Sequence, residues 1–158
     1  MTTERYALVT GGSAGIGFEL ACRACEAGYT PVLVARDRKN LEQAAHYLAQ
    51  TYACTPLTYS CDLGDGEQLD ALLEWIDASA LPFEMLINSA GTGFAGAFHS
   101  NRREQEQYLI RLNVYALATL SHHFARHFAA RNRGYILNVA SLAAFQPGPN
   151  FANYYASK

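Results

Sequence analysis

Residues 10–17 read TGGSAGIG, and no other stretch restricts the possible folds as strongly. An apolar run, 6–9, precedes it and an amphipathic run, 18–27, follows, so the stretch is a turn from a strand into a helix. Gly11, Gly15 and Gly17 permit positive φ and close approach to the backbone. The free N–H groups at the start of the helix, at the positive end of its dipole, attract phosphate. The spacing is G-x-x-x-G-x-G, which differs from G-x-G-x-x-G. Glycine also serves tight turns that bind nothing, so the turn alone leaves its ligand open.

The length of 158 residues suits one domain spanning 1–158. Half the residues are hydrophobic and 16% are charged, which describes a folded chain. With 12 basic against 14 acidic residues and a net charge of -2, no general excess exists to hold nucleic acid or an anionic membrane. Arg126, Arg131 and Arg133 read as a solvated loop. No apolar run approaches the roughly 18 residues of a membrane span, and the N-terminus lacks a signal-peptide layout, so a cytoplasmic location is expected. Cys22 and Cys25 fall inside the first helix as small buried apolar residues. His123 and His127 share a helix face, but no third metal ligand is apparent, and no metal site is expected.

Strands are expected at 5–10, 30–35, 56–61, 83–88 and 133–141. Helices alternate with them at 18–27, 39–52, 67–78 and, uninterrupted by proline, about 105–131. Strand, helix, strand in repetition is the pattern of an α/β fold with a parallel sheet. Its ligands lie at the carboxyl edge, where the small residues of Asn88-Ser89-Ala90-Gly91 allow close backbone approach and where the fifth strand delivers Ser141.

Twelve residues separate Ser141 from Tyr154, and Tyr154 stands four before Lys158, on the same helix face. Together with TGGSAGIG and Asn88-Ser89-Ala90-Gly91, this order and spacing resemble the short-chain dehydrogenase/reductase family from the first strand to the last residue. Ser89 departs from the family's usual Asn-Asn-Ala-Gly. The resemblance implies a doubly wound, Rossmann-like parallel sheet. Five strands are present, and the resemblance implies a domain truncated at its C-terminus, because family members continue through two further strands. If the order is 3-2-1-4-5, the fifth strand becomes an unprotected edge.

The resemblance also implies a chemistry. Hydride passes between a nicotinamide cofactor and a small-molecule carbonyl or alcohol substrate. Tyr154 would act as the proton donor and Lys158 as the cation that favours its phenolate and holds the nicotinamide ribose; Ser141 would bond the substrate oxygen, and Asn113 would kink its helix and hold a relay water. The cofactor would lie on Gly11, Ser13, Gly15, Ile16 and Gly17, on Asp62 and Leu63, on Asn88, Ala90 and Gly91, and on Tyr154 and Lys158. Asp62 equally reads as the cap of a helix beginning near Gly64. Members that prefer NAD usually carry an acid at the end of the second strand, where this chain has Ala35 and then Arg36, so NADP(H) is expected over NAD(H). A homo-oligomer is expected of a full-length form. The alternative is a non-catalytic nucleotide-binding or interaction fragment whose fifth strand a partner covers.

Overall fold

A computed structural model of the chain describes residues 4–158. In chain order the elements are β1 (Tyr6–Thr10), α1 (Gly15–Glu26), β2 (Thr30–Ala35), α2 (Arg38–Thr51), β3 (Leu57–Ser60), α3 (Gly66–Ser79) and β4 (Phe83–Asn88), then α4 (Arg103–Ile110), α5 (Leu117–Arg131), β5 (Tyr135–Asn138) and α6 (Ala152–Ser157). All strand pairs are parallel, in the order β3-β2-β1-β4-β5. The chain direction across the sheet reverses between β1 and β4, and the crevice of a doubly wound sheet opens at that switch point.

Period-two alternation divides the core into two layers. Leu8, Val32, Val34 and Leu86 face α3 and α5, where Leu69, Leu72, Leu120 and Phe124 meet them. Ala7, Val9, Leu33 and Ile87 face α1 and α2, against Ala21, Leu41 and Leu48. Burial on both faces explains why β1 and β2 read as continuous apolar runs rather than alternating ones. The edge strand β5 is different, since all four of its residues are exposed, Tyr135 at 63%.

Asp37 caps α2 by accepting from the Asn40 N–H at 3.0 Å. Asp65, not Asp62, caps α3, accepting from the Glu67 and Gln68 N–H groups. Asp62 instead folds a two-residue turn by accepting from the Gly64 N–H at 2.9 Å. The long helical region is not continuous, because a π-helical turn (Arg111–Ala116) joins α4 to α5. β5 is shorter than the apolar pattern suggests, and Ser141 lies three residues past its end.

The three arginines do not form a solvated loop. Arg126 and Arg131 belong to α5, Arg131 Nη2 donates to the Phe83 carbonyl at 2.8 Å, and Arg133 pairs with Glu84 at 3.0 Å. Cys22 is buried, whereas Cys25 is half-buried with its sulfur 3.4 Å from that of Cys54. The pair His123 and His127 does have a third donor beside it, Asp77 of α3. Among the described residues, no helix is long and apolar enough to cross a membrane.

Candidate active site

The glycine turn leaves β1 and enters α1 beneath the carboxyl edge of the sheet. Gly11 adopts φ +66 and Gly15 φ +55, conformations that side chains rarely tolerate. A Cβ on Gly17 would collide with the Gly11 carbonyl, so that glycine lets the helix close against the turn. Gly15, by contrast, faces open space, with nothing within 4 Å of where its Cβ would be. The N-cap of α1 is Ala14, which offers no side-chain acceptor, and the first N–H groups of the helix therefore stay available to a ligand. Glycine cradle, free helix N-terminus and open space together fit a pyrophosphate.

Two hollows flank this turn and share Gly11, Ala14, Ala90 and Gly91, so they form one two-lobed groove. One lobe, about 470 Å³, is walled by Ser13, Arg36, Asp37, Asp62, Leu63 and Tyr108, and it lies over the ends of β2 and β3. The other, about 600 Å³, is walled by Ile16, Gly17, Thr92, Gly93, Val139, Phe151, Tyr154 and Lys158. A larger and more open hollow, about 760 Å³, lies among Phe98, Ile110 and Asn153 and contains none of the glycine-turn residues.

Thr10 fastens the turn to the end of β4. Its buried hydroxyl oxygen accepts from the Ser89 N–H at 3.0 Å and the Ala90 N–H at 3.1 Å. Asn88 lies behind the groove rather than in it, for its amide donates to Ser121 Oγ at 3.0 Å and to Asn138 Oδ1 at 2.9 Å. It holds β4, α5 and β5 in register and leaves Ala90 and Gly91 to line the groove.

In the first lobe Tyr108 links the two residues singled out near the adenosine end. Its hydroxyl donates to Asp62 Oδ1 at 2.8 Å and accepts from Arg36 Nη1 at 3.1 Å. Burial, then the bond to the Asp62 carboxylate and its charge, push the phenol up to about 12, against a smaller opposing effect of Arg36. It therefore stays protonated and keeps donating to Asp62. The Asp37 carboxylate, adjacent in sequence to Arg36, is engaged at the α2 cap. Arg36 is thus the cation of this lobe.

At the other end Asn113 occupies the π turn and is buried. It accepts from the Thr92 N–H at 2.9 Å and donates to the Thr92 carbonyl at 2.8 Å and to Ser157 Oγ at 2.9 Å. Gly91 sits beneath both Asn113 and Lys158, 3.3 Å from Asn113 Oδ1 and 3.4 Å from Lys158 Nζ at the position of a Cβ. Lys158 Nζ donates to the Val139 carbonyl at 3.2 Å. The Tyr154 ring lies over Gly93, whose missing side chain makes room for it. Ser141 caps a short 3-10 turn, its Oγ accepting from the Ala143 N–H at 3.1 Å, and it does not line either lobe. Thr10 opens the glycine motif, but its tie to the end of β4 79 positions away has no local signature, nor does Tyr108, which acts on residues 46 or more positions away.

The family model described as short chain dehydrogenase matches residues 5–158. A fatty acyl-CoA reductase of Acinetobacter baylyi is 32% identical over 156 residues, covering 98% of this chain and 52% of that protein. Among solved structures, a short-chain dehydrogenase from Sphingobium yanoikuyae in complex with NADPH superposes with a TM-score of 0.91 at 32% identity, covering 98% of this chain and 60% of that one. A metagenomic short-chain oxidoreductase in complex with NADP also gives 0.91 at 32% identity, covering 98% and 70%. The chain spans about half the length of the curated relatives it matches. With the family model matching residues 5–158 and relatives at 32% identity aligned over 98% of its length, the chain belongs to the short-chain dehydrogenase family of oxidoreductases.

Proposed function

We propose that the chain is the cofactor-binding and proton-transfer part of an NADP(H)-dependent oxidoreductase that interconverts a carbonyl and an alcohol. One observation carries this reading: a single groove crosses the glycine turn, with Arg36 at one end and Tyr154 with Lys158 at the other. Its two lobes, meeting at the glycine turn, suit a dinucleotide whose pyrophosphate lies on the turn. The free end of α1 and the backbone of Gly11 to Gly17 would hold that pyrophosphate. Arg36 supplies a positive charge where a 2′-phosphate needs one, and Tyr108 holds it beside Asp62. The NADPH and NADP complexes of the two structural relatives support the same preference.

When bound, the nicotinamide donates or accepts hydride. The protein's part is the proton. In reduction, the Tyr154 O–H gives its proton to the substrate oxygen as negative charge develops there, and in oxidation the tyrosine takes it back. Lys158 places a positive charge on the same helix face and in the same lobe. Asn113 positions this end by tying the Thr92 backbone to Ser157, one residue before Lys158. The Ser141 O–H, free to donate while its Oγ accepts from the Ala143 N–H, would serve a substrate oxygen that extends beyond the lobe Tyr154 lines.

The test follows NADPH consumption with a panel of ketones and aldehydes, alongside cofactor titration. Tyr154→Phe should lose nearly all turnover while NADPH binding stays within a few fold. Parent-like turnover in that variant would eliminate Tyr154 as the acid. The exposure of all four β5 residues favours a second reading, a nucleotide-binding module that needs a partner along β5. Tight NADPH binding without turnover of any carbonyl would support it.

A further inference from the structure

On the face of the sheet covered by α3 and α5, away from the groove, Asp77 meets His123 and His127. Asp77 lies in the last turn of α3, which leads to the amino end of β4, so the cluster sits toward the edge opposite Tyr154 and Lys158. His123 and His127 are one turn apart on α5, with ring centroids 4.7 Å apart. Both Nε2 atoms approach the same oxygen, Asp77 Oδ1, at 3.1 Å and 3.2 Å. The three donor atoms all lie within 4.8 Å of one another.

Attraction to the Asp77 carboxylate draws both imidazoles in but leaves the hydrogen-bond geometry of His123 unsatisfied. His123 Nε2 is buried and lies 3.1 Å from Asp77 Oδ1 without the alignment of a good hydrogen bond. A buried polar nitrogen without a partner is costly. The same atoms suit a metal ion. With nitrogen and oxygen ligands about 2.0–2.2 Å from zinc, a tetrahedral arrangement sets neighbouring donors about 3.3–3.5 Å apart, a few tenths of an ångström from the separations to Asp77. His127 and Asp77 are about half exposed, which leaves a path for the ion and room for water as a further ligand.

We propose that Asp77, His123 and His127 form a binding site for a divalent transition metal ion, zinc by ligand type, that clamps α3 to α5. Two imidazoles and a carboxylate favour zinc, copper or nickel over magnesium or calcium, which take oxygen ligands. The clamp joins two helices that otherwise meet through apolar contacts with the sheet. Because the ion would ligate the folded arrangement, it shifts the folding equilibrium without touching the cofactor groove.

The test is titration of the 158-residue chain with zinc, followed by calorimetry and thermal unfolding, and with cobalt, followed by its visible absorption. One equivalent of zinc should bind, and at a hundredfold excess over Kd the unfolding equilibrium constant should fall about a hundredfold. His127→Gln and Asp77→Asn, both at accessible positions, should each weaken binding by at least about tenfold and abolish the cobalt spectrum of a nitrogen and oxygen site. NADPH affinity should stay within about twofold in both variants, showing that they fold. Absence of zinc binding would overturn the proposal, as would binding undiminished in the two variants or a cobalt spectrum with thiolate charge-transfer bands, which would place the ion on the free cysteines.

Discussion

Gly15 and Gly17 stand two residues apart, and the structure assigns them opposite burdens. A Cβ on Gly17 would lie 2.7 Å from the Gly11 carbonyl carbon, closer still to its oxygen, and 3.2 Å from Ser89 Oγ. The two Gly11 atoms are backbone of a turn already committed to φ +66, so Gly17→Ala must push the turn off α1. Overpacking of this kind costs about 1–3 kcal/mol, which for a chain of this size lowers the midpoint of thermal unfolding by about 2–12 °C. At Gly15 an added Cβ meets nothing within 4 Å, and the cost comes only from φ +55. That is about 1–2 kcal/mol, or about 2–8 °C. If a phosphate rests on the first N–H groups of α1, as proposed, a methyl group at 15, in the open space beside them, would crowd its approach. Losing one charge-assisted hydrogen bond there is worth about 1.5–3 kcal/mol, so Gly15→Ala should raise the Kd for NADPH about ten- to hundredfold. Thermal melts and a fluorescence titration of NADPH, run well below both midpoints, separate the two effects. If Gly15→Ala bound NADPH with the parent's affinity while showing its expected loss of stability, the phosphate would not rest on this turn, and the assignment of the groove would fail.

Arg36→Ala should weaken NADPH by about tenfold or more, the value of a charge-assisted contact, and leave NADH within about twofold; equal losses for both cofactors would refute the role given to Arg36. Phe124 is 1% exposed and packs edge-on against Phe83 at 5.5 Å and close to Phe128, so Phe124→Ala should cost about 3–5 kcal/mol, read as a fall in the denaturation midpoint at unchanged m-value. Burial first, then the charges of Asp62 and Asp65, push the Cys61 thiol from 9.0 up to about 12. A thiol raised in the folded state ionises first in the unfolded chain, so its contribution is complete below pH 9 and is lost as pH rises from 9 toward 12. Urea unfolding across that window should show stability declining, and Cys61→Ala should flatten the decline; an unchanged slope would assign the alkaline loss to other groups.

What could be read from the sequence follows a physical rule. β1, β2 and β4 are apolar on both faces because helices cover both faces, and the phosphate turn, Asn88 to Gly91 and Tyr154 with Lys158 follow directly from strand ends or lie on one helix face. For such residues chain adjacency implies spatial position once the sheet order is known, which is why the groove's two ends were legible. Residues that project from helix flanks obey no such rule. Tyr108 bonds to Asp62 across 46 positions and to Arg36 across 72, and Asp77 reaches His123 and His127 from a different helix. At Asn113 the family resemblance implies a kink, and the structure has a π turn there, with the asparagine bonded to the Thr92 backbone from 21 positions away. Asn88 shows the converse: its place at a strand end was readable, but its amide turns back to Ser121 and Asn138, and only the packing of α5 and β5 decides that direction. Strand-end motifs therefore locate a site in this fold, while the residues that orient its charges come from contacts between helices and strand ends far apart in the chain.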